Sequence, residues 1–82
     1  MRPEDILELV RKRPFGPFRI YLTDGRTFEI FHPDQVLVLR SRITLGVGAD
    51  PTTGIPDHAE HVSLLHIMRI EELPAASPSG VG

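Results

Sequence analysis

The stretch Phe18-Arg19-Ile20-Tyr21-Leu22-Thr23-Asp24-Gly25-Arg26-Thr27-Phe28-Glu29-Ile30-Phe31 decides the fold. Two alternating runs flank an Asp-Gly pair, the strongest local signal for a β-hairpin. Its register follows from the side chains. A two-residue loop at Asp24-Gly25 sets Ile20 against Glu29 and Arg19 against Ile30, mixing charge with hydrophobe on both faces. A three-residue loop at Thr23-Asp24-Gly25 sets Ile20 against Phe28 and Phe18 against Ile30 on one face. Arg19 then meets Glu29, and Tyr21 meets Thr27, on the other. A one-residue slip turns every side chain over, so the buried face selects the longer loop. That loop puts Gly25 at the left-handed position of a type I turn with a G1 bulge, where a side chain is strained.

Upstream, residues 3–13 are predicted to form a helix. Pro3 suits the first helical position, acids lie in the first turn, and Arg11-Lys12-Arg13 close the negative end of the dipole. Ile6, Leu9 and Val10, with Leu7, form an apolar stripe too short to be stable undocked. Pro14 and Pro17 end the helix, and Phe15 between them is predicted to anchor beneath it. Downstream, His32-Pro33-Asp34 reads as a turn, and residues 35–40 as a strand buried on both faces. Ser41 marks a tight turn into an alternating strand at 43–47. Residues 48–59 have the composition of a long loop, for which a grafted function and disorder are the two readings. Alternation resumes at 60–64, breaks at Leu65-His66 and returns at 67–71. The expected core is Phe18, Ile20, Phe28 and Ile30 with Leu9, Val10, Leu37, Leu39, Leu45, Val62, Leu64 and Ile70.

The 82 residues make one domain over 1–73, followed by a tail at 74–82 too poor in apolar residues to order itself. The fold class is therefore mostly β (α+β): an N-terminal helix, then five or six short antiparallel strands in a strongly bent sheet or small barrel. No cysteine is present, which removes disulfides and thiolate chemistry and fits a reducing compartment. No apolar run approaches a membrane span, and the acidic start is unlike a signal peptide, so a cytoplasmic, soluble protein is expected. Nine basic against eleven acidic residues give a net charge of −2, unlike the basic footprint of a nucleic-acid binder.

Two resemblances follow. The helix and the order of short, sharply turned strands resemble the Sm-like small barrel, a variant of the Src-homology-3-type barrel, and Leu22-Thr23-Asp24-Gly25-Arg26 is similar to its first hairpin. That resemblance implies a homo-oligomeric ring binding single-stranded RNA, with Arg13, Arg40 and Arg42 as candidate contacts. Second, Arg13-Pro14-Phe15-Gly16-Pro17-Phe18-Arg19-Ile20, Asp24-Gly25-Arg26, His32-Pro33 and Ser63-Leu64-Leu65-His66-Ile67-Met68-Arg69-Ile70-Glu71 resemble a group of small bacterial proteins. Those share an RPF-PF-I-L-DGR opening and an SLLHI-RIE close, and the group brings no activity with it.

Catalytic chemistry finds little footing. His58, His61 and His66 with Asp57 and Glu60 are the only metal-like material, and His-x2-His-x4-His across a loop, a strand and a turn is no helical zinc motif. No cofactor and no metal site is expected. Ser63 lacks a nucleophile elbow, and no glycine-rich loop precedes a helix. The expectation is a non-catalytic protein-interaction or regulatory module, self-association included. Its candidate surface is the 43–47 strand, taken as an open edge, and the loop beside it: Thr44, Val47, Asp50, Ile55 and His58. The RNA-binding homo-oligomer is the alternative.

Overall fold

The computed structural model describes residues 1–74. The tail expected at 74–82 therefore lies, from residue 75, outside the described residues. The chain runs α1 (Pro3–Arg11), β1 (Phe18–Leu22), β2 (Thr27–Ile30), β3 (Val36–Val38), β4 (Arg42–Val47), β5 (His58–Ser63) and β6 (Ile67–Glu72). All strand pairs are antiparallel, in two three-stranded sheets ordered β2-β1-β6 and β3-β4-β5.

The hairpin has the register its side chains select: Phe18 pairs with Ile30, Arg19 with Glu29, Ile20 with Phe28 and Tyr21 with Thr27. Gly25 N–H donates to the Leu22 carbonyl at 3.0 Å, Leu22 N–H to the Arg26 carbonyl at 2.9 Å, and Gly25 has a φ of 93°. Asp24 accepts from the Arg26 backbone and guanidinium, which holds its carboxyl below the usual range and stiffens the turn. Phe18, Ile20 and Ile30 are buried as expected, while Phe28, nearer the turn, is half-buried.

The helix is shorter than its apolar pattern suggests, with Lys12 as its C-terminal cap. Arg13 donates to the carbonyls of Val10 and Lys12, satisfying the helix end from outside. Ile6 is the fully buried anchor, with Leu9 and Val10 at its flanks. Burying one such side chain is worth about 2 kcal/mol, so docking makes this short helix stable. Phe15 is half-buried against Phe18, ring centroids 5.9 Å apart.

Four expectations are corrected. The strands form two sheets and no closed barrel, because short 3-10 turns at Pro33–Gln35 and Leu64–His66 interrupt the ladders where a barrel would be continuous. Pro33 has no N–H to continue β2 into β3. The strand at 35–40 is only Val36–Val38 and lies at the margin of its sheet. Val36 points inward, but Leu37 is 60% exposed, so the apolar run is buried on one face alone. The strand at 43–47, taken as an open edge, is the central strand of its sheet, laddered to β3 on one side and β5 on the other. Finally, β5 begins at His58, shortening the loop at its end.

That loop is ordered by its own hydrogen bonds. Asp57 N–H donates to the Val47 carbonyl at 2.9 Å, and Asp50 N–H to the Ile55 carbonyl at 3.0 Å. The Asp50 carboxylate accepts from the N–H groups of Thr52 and Thr53, an Asx-type turn. Pro56 lies against Gly46, where a Cβ would come within 3.0 Å of its ring. Gly46 is thus the seat of the loop, a close approach that leaves no room for a side chain.

Candidate functional site

Among the described residues, polar side chains of the sheets gather in three places. The first is the outer face of the β2-β1-β6 sheet. Arg19 on β1 bridges Glu29 on β2 and Glu71 on β6, both directly across the ladder. The Tyr21 hydroxyl donates to Glu71 at 2.6 Å, and the Arg69 guanidinium lies 3.7 Å from the Tyr21 ring centroid. The Tyr21 hydroxyl, with Arg19, holds the Glu71 carboxyl below its usual range, and Tyr21 and Glu29 push the Arg19 guanidinium higher still. Every charge in this row has its partner within the sheet, so the row fixes strand pairing and leaves little for a ligand.

The second place is the junction of the two sheets, where Gln35 does the joining. Its side-chain carbonyl accepts from the N–H groups of Phe31 and His32, and its amide donates to the carbonyls of Glu29 and Gly46. Beside it a cleft of about 470 Å³ separates the 48–57 loop from the Pro33–Gln35 turn, lined in part by His32, Asp34, Asp50 and Thr53. The Asp50 carboxylate there is already committed to the loop's own turn.

The third place is the start of β5. His58 lies between Asp57, 3.0 Å from Nδ1, and Glu60, 3.2 Å from Nε2. His58 and Glu60 are two apart on a strand, so they share a face, the one that buries Val62 further along. Asp57 and then Glu60 raise the His58 pKa above the ordinary histidine value. Arg26 reaches the same cluster from the hairpin turn, with Nη1 3.9 Å from Glu60 and its guanidinium 5.8 Å from the Phe28 ring centroid. His61 leaves on the opposite face, where Nδ1 is 3.0 Å from the Thr44 hydroxyl. Both ring nitrogens of His58 are thus occupied, and among the described residues no group of three His, Cys, Asp or Glu side chains is arranged to hold a metal ion.

The residues singled out from sequence fall into separate positions. Val47 and His58 face each other at the open end of the β4–β5 ladder. Asp50 and Ile55 close the loop tip, with Ile55 exposed. Thr44 sits on the outer face, in one row with exposed Leu37 and His61. Because β4 is laddered on both sides at residues 43–45, Thr44 offers its side chain only and the strand can accept no further strand there, while Val47 is laddered to His58 alone. The unpaired flanks of this sheet belong to β3 and β5, and sequence reasoning missed Ala59 and Glu60 on the longer of the two. The one local hint was the His58-x-Glu60 spacing, which fits a strand starting at residue 58. Of the arginines, Arg13 is taken up by the helix end, whereas Arg40 and Arg42 flank the β3–β4 turn with no carboxylate partner among the described residues.

Comparison with protein-family models, with curated proteins and with solved structures gave no match.

Proposed function

We propose that the protein is a non-catalytic binding module, acting in the cytoplasm, whose partner is another protein chain and docks by strand addition along β5. The observation that carries this reading is the position of β5. It is a six-residue strand at the margin of its sheet, laddered to β4 on one side only. A strand in that position presents main-chain N–H and C=O groups to an incoming strand, which supply affinity while alternate side chains supply selectivity. Thr44, Val47, Asp50, Ile55 and His58 then serve as the surroundings of the docked chain. The commitment of the main polar clusters to intramolecular partners supports a binding rather than a catalytic role.

The test uses displayed random peptides selected on the purified, tag-free protein. Selected peptides are expected to bind in extended form, and Ala59→Lys, which places a charge on the edge, is expected to abolish binding while leaving the melting transition in place. Peptides that bind Ala59→Lys as well as the parent would place docking elsewhere and overturn the β5 reading.

A second reading, an RNA-binding homo-oligomer related to Sm-like proteins, is favoured by one observation, that Arg40 and Arg42 on one exposed turn have no carboxylate partner among the described residues. Binding of oligouridine with steep salt dependence, lost in Arg40→Glu/Arg42→Glu and retained in Ala59→Lys, would support it in place of the first.

A further inference from the structure

The edge of β5 is open at one end and crowded at the other. Thr23, Asp24 and Arg26 of the β1–β2 turn line one cleft with His61, Val62 and Ser63. Arg26 of that turn reaches as far as Glu60, at 3.9 Å, while His58, Ala59 and His61 are exposed. The strand itself lacks lysine, proline or any register break, the usual means of blunting an edge. Its one deterrent is the charged cluster at Glu60, a carboxylate on the inward face with His58 Nε2 at 3.2 Å and Arg26 Nη1 at 3.9 Å, which an apolar incoming strand would desolvate at a cost. An occupant that sets a further cation opposite Glu60 extends that cluster, whereas one that sets a carboxylate there opposes it.

We propose that this occupant is a second copy of the chain, and that β5 pairs antiparallel with β5 of the partner about a two-fold axis through Ala59. The proposal rests on the reading of β5 as a docking edge and specifies its partner and register. Such an axis keeps each side chain on its own face, so only residues of like parity can be opposite one another. An axis at Glu60 opposes two carboxylates. An axis at His61 sets Glu60 against the apolar Val62. An axis at Ala59 sets His58 against the partner's Glu60 and Asp57 against the partner's His61, twice over by symmetry. Only this last register gives each acid an imidazole, with the smallest side chain of the strand on the axis. Pro56, without an N–H, ends the ladder on one side, and the β1–β2 turn ends it on the other. Because the Asp57 N–H is already donated to the Val47 carbonyl, the main-chain pairing is confined to residues 58–60, a short contact that makes the association weak and concentration-dependent.

The absence of cysteine makes the register directly testable. Opposed Cα atoms in an antiparallel ladder lie about 4.5–5.5 Å apart, inside the range a disulfide spans. Under mild oxidation at high protein concentration, Ala59→Cys is expected to form covalent dimers on the order of tenfold faster than Thr52→Cys, an exposed loop control. Adding His58→Glu to Ala59→Cys, which opposes carboxylate to carboxylate, is expected to remove the acceleration. Adding His58→Glu/Glu60→Lys restores opposite charges in both rows and is expected to bring it back. Equal rates for the two single thiols, or no recovery in the charge-swapped variant, would overturn the self-pairing. Peptides that need β5 for binding, found with a protein that shows no accelerated cross-linking, would overturn the dimer alone and leave the binding-module reading standing.

Discussion

At Gly25 nothing lies within 4 Å of the position a Cβ would take, so the burden of a side chain there is conformational rather than steric. With φ at 93°, Gly25→Ala is expected to lower stability by about 1–2 kcal/mol, read as a lower urea midpoint with unchanged slope. His58 makes a second prediction at this scale. Its folded-state pKa is raised above the ordinary value of 6.5 by Asp57 and Glu60, so its protonated form favours the folded state. The stabilisation is therefore complete below about pH 6.5 and is lost as pH rises through the raised folded value. Stability curves of the parent minus His58→Gln should show that fall on the alkaline side, and a difference independent of pH would contradict it. Gly25 was legible in the sequence because turn chemistry and alternation are local. The partners of His58 were not, since the composition of residues 48–59 hid the first two residues of β5.

Among the elements, β3 shows how an apolar run can mislead. Val36-Leu37-Val38 has the composition of a doubly buried strand, yet Leu37 faces outward in a row with Thr44 and His61. Leu37→Lys should therefore change stability by no more than about 0.5 kcal/mol, whereas a buried leucine in its place would lose several. The link between β2 and β3 depends instead on Gln35, whose side chain satisfies main-chain groups of both sheets. Gln35→Ala is expected to cost about 1–2 kcal/mol and to speed amide exchange at Phe31 and His32. A loss below a few tenths of a kcal/mol would show that those contacts are dispensable. The turn at His32-Pro33-Asp34 was readable from proline; the reach of the next residue across to Gly46 is a long-range fact that no local pattern encodes.

For the molecule as a whole, each strand but β3 was visible near its true bounds, while the order of strands was not. Alternation tells which face of a strand is buried and is silent on which neighbour it has, so β4 passed for an edge and β3 for an interior strand. The candidate site moved with that order, from Thr44 and Val47 to the strand beside them. What remained of the surface reading is its neighbourhood, since His58 stands opposite Val47. Two sheets joined by 3-10 turns leave β5 with one laddered side, and the account's central claim is that its other side is where a second chain docks. Amide hydrogen exchange, followed residue by residue at increasing protein concentration, tests this most directly. Protection is expected to rise with concentration at residues 58–60 and to stay constant in β1 and β4. Protection that is independent of concentration at 58–60, or that rises instead along β6 or β3, would contradict it.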